Sequence, residues 1–142
     1  MGKSNAFETS LITLLFQGTA IVGIAQNHSS PYADLYVGLH VSDPGEAGNQ
    51  LTGECAYTNY GRIAVSRNAA GWTISGNRVY NTSATNFNQC GATGNTLTHV
   101  SIGSNASGAG NLYYSGALGS NLIVSNGVTP SFAANNLAVE EE

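Results

Sequence analysis

Leu35-Tyr36-Val37-Gly38-Leu39-His40-Val41 alternates aliphatic and other residues one for one. A period of two is the mark of a β-strand with one buried face. Leu35, Val37, Leu39 and Val41 take that face, and Tyr36, Gly38 and His40 the opposite one. The same grammar recurs downstream. Ser42-Asp43-Pro44-Gly45-Glu46-Ala47-Gly48 is a polar loop punctuated by Pro and Gly. Arg62-Ile63-Ala64-Val65-Ser66-Arg67 reads as a second strand. Gly71-Trp72-Thr73-Ile74 and Arg78-Val79-Tyr80 flank Ser75-Gly76-Asn77, a hairpin signal in which Gly and Asn accept positive φ. Asn86 to Cys90, Leu97 to Ile102 and Asn111 to Gly116 are further alternating runs. Leu122-Ile123-Val124 and Val128 to Phe132 read as a hairpin around Asn126-Gly127, and Leu137-Ala138-Val139 closes the chain. About eight short strands at spacings of roughly 8–12 residues, with no helical period between them, predict an all-β fold. A jelly-roll-like, two-sheet antiparallel β-sandwich is the first choice, because it pairs most strand edges, and an immunoglobulin-like sandwich the second.

Upstream of the first strand the period is helical. Asn5 followed by Glu8 has capping-box spacing, and Phe7, Leu11, Leu14 and Leu15 fall at i, i+4, i+7 and i+8 on one stripe. Gly18 is the natural stop, and Ala20 to Ala25 adds a further turn or two. Two readings of this helix stand. It packs on its own domain, or it is an arm buried against another subunit, since Ile12 and Phe16 lie off the main stripe and give it more apolar surface than one contact needs. The expected organisation is a helix or arm over residues 1–25 and a β-sandwich domain over 26–142. Leu11 to Ala25 is not read as a signal peptide, because Lys3 is the only positive charge before it, Glu8 offsets that charge, and Gln17-Gly18-Thr19 interrupts the apolar run. Nor does it supply the ~20 uninterrupted apolar residues of a membrane span.

Composition narrows the function. Four Lys plus Arg against eight Asp plus Glu make 8% charged residues, where a soluble domain carries roughly 25%. Four scattered cations cannot form the basic face that nucleic-acid binding needs. Glu140, Glu141 and Glu142 hold three of the eight acidic residues, so the body of the chain is nearly neutral. A neutral surface of Asn, Ser, Thr and Gly is poorly protected against association and suits a protein that lives bound to neighbours.

No catalytic constellation is legible. His40 and His99 sit in strand patterns, on the face away from the large aliphatics, as solvent-facing or interface residues; His28 stands in a loop. Asp43 and Glu46 are the one close carboxylate pair, and Asn49 and Gln50 do not complete a calcium loop, so Asp43 reads as a turn cap. Gly103 to Gly110 lacks the Lys of a phosphate loop and reads as a long flexible turn. Cys55 and Cys90 show no metal spacing; two buried thiols are preferred over a disulfide. Three sequons, at Asn27, Asn81 and Asn105, are what an Asn/Ser-rich composition yields by chance. The expectation is no enzyme, no cofactor and no metal.

An ordered series of segments carries a family resemblance. It runs from Met1-Gly2-Lys3-Ser4-Asn5-Ala6-Phe7-Glu8 through the first strand and Asp43-Pro44-Gly45-Glu46-Ala47-Gly48. It continues with Tyr60 to Arg67, Gly71-Trp72-Thr73, His99-Val100-Ser101-Ile102-Gly103 and Tyr114-Ser115-Gly116-Ala117-Leu118. The series resembles a family of small structural proteins of tailed bacteriophages, whose members carry tail-fibre or minor-structural labels. Chains of this size and type also resemble the cement proteins that clamp phage capsid shells. The resemblance implies a capsid cement or decoration protein on the outer surface of the head, made in the host cytoplasm. Its partners would be the major capsid protein and itself, as a homodimer or homotrimer, with no nucleic acid and no membrane. Alternatives are a tail or tail-fibre protein and, behind it, a carbohydrate-binding jelly roll. The expected interface residues are Phe7, Leu11, Leu14 and Leu15 on the arm, with Tyr36, Trp72, Tyr113 and Tyr114 as aromatic anchors.

Overall fold

The computed structural model describes residues 1–142. In chain order the elements are α1 (Asn5–Gln17), β1 (Asp34–His40), β2 (Ile63–Ser66), β3 (Trp72–Ser75), β4 (Arg78–Asn81), β5 (Thr85–Asn86), β6 (Asn95–Gly103), β7 (Leu112–Val124), β8 (Ser131–Phe132) and β9 (Ala138–Glu140). The strands form sheets in the orders β2-β1-β6-β7, β3-β4-β9 and β5-β8. Pairings β1–β6, β6–β7, β3–β4 and β4–β9 are all antiparallel. This is the all-β antiparallel class of a β-sandwich, with one short N-terminal helix. Its sheets hold four, three and two strands, where a regular jelly roll counts eight strands in two sheets.

The chain groups into two compact units. The first comprises Met1–Asp34, Val65–Thr85 and Phe132–Glu142, and the second Leu35–Ala64 and Asn86–Ser131.

In the first unit α1 lies against β3 and β4. Its N-cap is Ser4, one residue before the expected Asn5; the Ser4 Oγ accepts from the Phe7 amide at 3.4 Å. Gly18 ends it with φ 71°, its amide bonded to the Leu14 carbonyl and the Thr19 amide to that of Thr13. That αL position needs Gly for space as well, since a Cβ would stand 2.7 Å from the Asn27 side chain. The helix has no cation in its last turn, but Arg67 supplies one from the end of β2. Its guanidinium donates to the carbonyls of Leu14 and Leu15 and to Asn27 Oδ1, where the helix dipole favours positive charge. The buried face is Glu8, Ile12 and Phe16, not the expected stripe of Phe7, Leu11, Leu14 and Leu15. Apolar residues surround most of this helix, so periodicity could not choose a side; the aromatic contact of Phe16 with Trp72 did. Beyond Gly18 no further helical turn forms, because the αL residue reverses the chain. Residues Ile21 to Ala25 make a tight loop instead.

In the second unit β1 is buried on both faces. Val37 and Leu39 pair with Ile102 and Val100 on one face; Tyr36, Gly38 and His40 pair with Gly103, Ser101 and His99 on the other. Residues 50–60 fold over the second face, with the Gln50 side chain above Gly103 and the Tyr60 hydroxyl above Gly38. Any Cβ at Gly103 would collide with Gln50, so that cover exists because the strand is bare there.

Candidate interaction surfaces

The sequence pointed to an adhesive surface on apolar residues and to no catalytic site. His40 and His99 do stand opposite each other on β1 and β6, but His40 is enclosed. His40 Nδ1 lies 2.9 Å from the Thr52 carbonyl and Nε2 lies 2.7 Å from Ser101 Oγ. A carbonyl only accepts, so Nδ1 carries the proton and Nε2 accepts from the serine hydroxyl. Burial holds the imidazole below its ordinary pKa, against the raising effect of the Thr52 hydrogen bond, so the ring is the neutral tautomer that this pairing requires. A hydroxyl beside a base is the arrangement of an activated nucleophile. Here, however, His40 is 0% and Ser101 2% exposed, and a nucleophile works only where substrate reaches it. His40 is therefore not the solvent-facing or interface residue that the strand pattern suggested, because the 50–60 segment covers its face. Its cross-strand neighbour His99 is half-buried and bonds Thr98.

The same face carries a charged network. Arg62 Nε and Nη2 reach Glu54 Oε1 and Oε2 at 2.6 and 2.8 Å, a bidentate pair whose side chains are 2% and 12% exposed. Tyr60 donates to Glu54 Oε1 at 2.9 Å and accepts from the Leu39 amide at 3.1 Å; burial pushes its phenol well above the ordinary value. Arg62 also donates to the carbonyls of Asn105 and Gly108. Gln50 donates to the Asn105 carbonyl and accepts from its amide, while its own amide bonds the Ala109 carbonyl. The Gly103–Gly110 segment expected to be a flexible turn is thus pinned at several points by side chains that no spacing rule connects to it. Asn81 plays the same part in the first unit. It is fully buried, donating to the carbonyls of Ser83 and Ala133 and accepting from the Leu137 amide. As a sequon its amide is already fully engaged. Asp43 caps its loop by accepting from the Gly45 amide at 2.9 Å, as read from the sequence. Cys55 and Cys90 are buried free thiols, and burial first, then Glu54, pushes Cys55 up to about 12.

The expected interface residues scatter. Trp72 is fully buried, its ring edge-on to Phe16 at 4.8 Å and 66°. It is a core residue and no surface anchor, the helix having been laid over it. Leu11, Leu14 and Leu15 are half-buried, and of the four expected residues on α1 only Phe7 is exposed, at 38%. α1 is consequently an integral layer of its unit and not a free arm. Tyr36, Tyr113 and Tyr114 are half-buried. Tyr113 and Tyr114 lie on β7, the edge of the four-stranded sheet. Register shifts interrupt that strand, so that Leu118 to Asn121 stand opposite Thr98 alone. Bulges of this kind turn an edge away from regular strand addition.

The most exposed aliphatics are ones the interface expectation omitted. Val22 and Ile24 are 95% and 76% exposed on the tight loop after α1, and Ile123 is 72% exposed near the end of β7. The sequence signal for the first pair is the uncharged run from Thr9 to Ala33, which extends past the end of α1. No helix of the chain is long and apolar enough to cross a membrane.

Comparison with known families gives one match that covers nearly the whole chain. The family model described as podophage GP4 fiber I protein gp80 matches residues 2–140. No curated protein shows significant similarity to the chain.

Proposed function

The chain belongs to the podophage GP4 fiber I protein family, and from that premise we propose that it is a structural subunit of a phage fiber, working by adhesion and carrying out no reaction. Membership makes it a phage structural protein with a place in the virion. The observation that carries the finer reading is the match over residues 2–140 to a protein described as a fiber component. That description names no capsid, so it favours the tail-fibre alternative over the cement or decoration role on the head. The physical chemistry is in keeping with it. The hydroxyl–imidazole pair of Ser101 and His40 is closed off from solvent, whereas the side chains of Val22, Ile24 and Ile123 stand largely in it. Such a chain is equipped to hold neighbours, and its partners are then other fiber or tail polypeptides and further copies of itself.

The test is fractionation of the virion. Particles are disrupted, emptied heads are separated from tails and fibers, and the chain is quantified by mass spectrometry in each fraction. It is expected with the tail and fiber fraction. Recovery with the emptied heads, in proportion to the major capsid protein, would overturn the fiber reading and restore the cement one.

A further inference from the structure

Sixteen asparagines are spread along the chain, and Asn126 alone is followed by glycine. An asparagine can react with its own backbone, because the amide nitrogen of the next residue is placed to attack the side-chain carbonyl carbon and close a five-membered ring. Asn is a thermolabile residue, and a glycine next in line leaves the attacking nitrogen unshielded by any Cβ. The turn offers room for the reaction. Ser125, Asn126 and Gly127 are all exposed, and even a Cβ built on Gly127 would meet nothing within 4 Å. What opposes the reaction is the way the turn is fastened. The Gly127 amide, which is the attacking nitrogen, donates to the Cys90 carbonyl at 2.9 Å. The Gly127 carbonyl accepts from Gln89 Nε2 at 2.9 Å, and the Val128 carbonyl from the Cys90 amide at 2.8 Å. A nitrogen whose proton is held on a carbonyl cannot shed it to attack, so the turn must first let go. Local opening of this kind costs less than unfolding the chain.

We propose that Asn126 is a self-modification site, converting without any enzyme to aspartate and isoaspartate, at a rate set by how often the turn releases the Gly127 amide from Cys90. In the first step the Gly127 nitrogen bonds to Asn126 Cγ. The bond from Cγ to the side-chain nitrogen breaks, and ammonia leaves with the proton that the backbone amide gave up. Water then opens the resulting succinimide. Cleavage of the new N–Cγ bond gives aspartate with the original main chain. Cleavage of the original peptide bond instead leaves the chain running through Cγ, as isoaspartate. Both products matter to this molecule. No Asp, Glu, Lys or Arg occurs between Arg78 and Glu140, so either carboxylate is the first such charge in that stretch. Isoaspartate also adds a carbon to the main chain where β7 leads toward β8, and so shifts the Gly127 amide off the Cys90 carbonyl. The site does not depend on the fiber reading, and its failure would leave the virion fractionation result untouched.

The experiment is a timed incubation of the full chain in mildly alkaline buffer, with and without unfolding guanidinium chloride. Wild type is compared with Gln89→Ala and Asn126→Ser. Peptide mapping by mass spectrometry follows conversion at every asparagine, and labelling by an isoaspartyl methyltransferase follows total isoaspartate. Asn126 is expected to convert ahead of every other asparagine in the native chain, and faster still in denaturant. Gln89 is exposed, so its truncation spares the core and removes one bond from the turn. Native conversion in Gln89→Ala is expected to run roughly two- to tenfold faster, which is what one hydrogen bond of ordinary net strength controls. Denaturant should erase that difference, and Asn126→Ser should lose most of the isoaspartate signal. Earlier conversion at another asparagine in the native chain would overturn the site, as would an undiminished isoaspartate signal in Asn126→Ser. Equal native rates for wild type and Gln89→Ala, or no acceleration in denaturant, would overturn the control by the turn.

Discussion

Replacing Phe16 by Ala tests whether α1 is part of a core. Phe16 and Ile12 are 0% exposed, Trp72 is 0% exposed, and the two rings meet edge to face at 4.8 Å. Truncating a buried Phe costs about 3–5 kcal/mol, the transfer term and the cavity together. Of that, ~0.5–1.5 kcal/mol is the aromatic pair geometry. The surrounding hydrogen bonds limit collapse into the space. Gln17 Nε2 holds the Trp72 carbonyl at 2.8 Å, and Thr9 Oγ1 holds the Gly76 carbonyl at 2.9 Å. With Arg67 on the last carbonyls as well, the helix is tied in place at both ends and the full cavity penalty applies. At roughly 2–4 °C per kcal/mol for a chain of this order of size, the melting point falls by about 10 °C. Phe7→Ala, at a position 38% exposed, loses no more than about 1 kcal/mol. Trp72 is the single tryptophan, so urea titration followed by its emission reads the right unit. If Phe16→Ala and Phe7→Ala shift the midpoint equally, the helix is not layered over Trp72 and the arm reading returns. Deletion of residues 1–17, which an arm would tolerate, is expected here to expose the indole and unfold its unit.

Two further outcomes follow from the second unit. Arg62→Met strands a Glu54 carboxylate that is 12% exposed and is expected to lose about 3–5 kcal/mol in urea titration. Adding Glu54→Gln removes the orphaned charge and moves the midpoint back toward wild type; a double variant as weak as the single one would refute the ion-pair account. His40 titrates below its ordinary value because it is buried. The unfolded chain therefore binds the proton more readily, and the stability supplied by neutral His40 is complete above about pH 6.5 and declines as pH falls below it. Denaturation midpoints at about pH 8 and pH 5 should differ more for wild type than for His40→Gln; equal differences would show that another group carries the pH dependence.

What the sequence disclosed was whatever is local. The alternation at Leu35–Val41 placed β1, Gly76-Asn77 placed the β3–β4 turn, and Gly18 placed the end of α1, because period and positive φ are properties of neighbouring residues. Asn126-Gly127 does form a turn, with the Val128 amide bonded to the Ser125 carbonyl. Yet the strands it joins part company: Leu122–Val124 completes β7 against β6, and Ser131–Phe132 pairs with β5. Turn chemistry fixes a reversal but not who pairs with whom. The buried cover of His40 was hidden for a related reason. Gln50 and Tyr60 reach the Gly103 and Gly38 positions from elsewhere in the chain, and nothing in either segment's own pattern announces the other. The candidate surface was half legible. Its uncharged, aliphatic character is plain from residues 9–33, but exposure is set by packing and not by local pattern.

The cations bear on the proposed adhesive role. All four are engaged within the chain: Lys3 with Glu141, Arg62 with Glu54, Arg78 with Glu140, and Arg67 with the last carbonyls of α1. The pairs of Lys3 and Arg78 are surface contacts of small energetic weight, but they leave no cluster of positive charge to steer a partner. Association without steering is slow, roughly 10⁵–10⁶ M⁻¹s⁻¹, and little affected by salt. A contact of that kind is useful where components meet once and then stay together, so that its dissociation rate and the number of copies decide the outcome rather than its speed of formation. Fiber assembly is such a setting. The same logic explains the many engaged Asn and Gln side chains, since Gln50 and Asn81 hold loops by hydrogen bonds that persist whatever the ionic strength. The low charge of the sequence is thus one choice expressed twice, in how the loops are fastened inside and in what the outside offers to its neighbours.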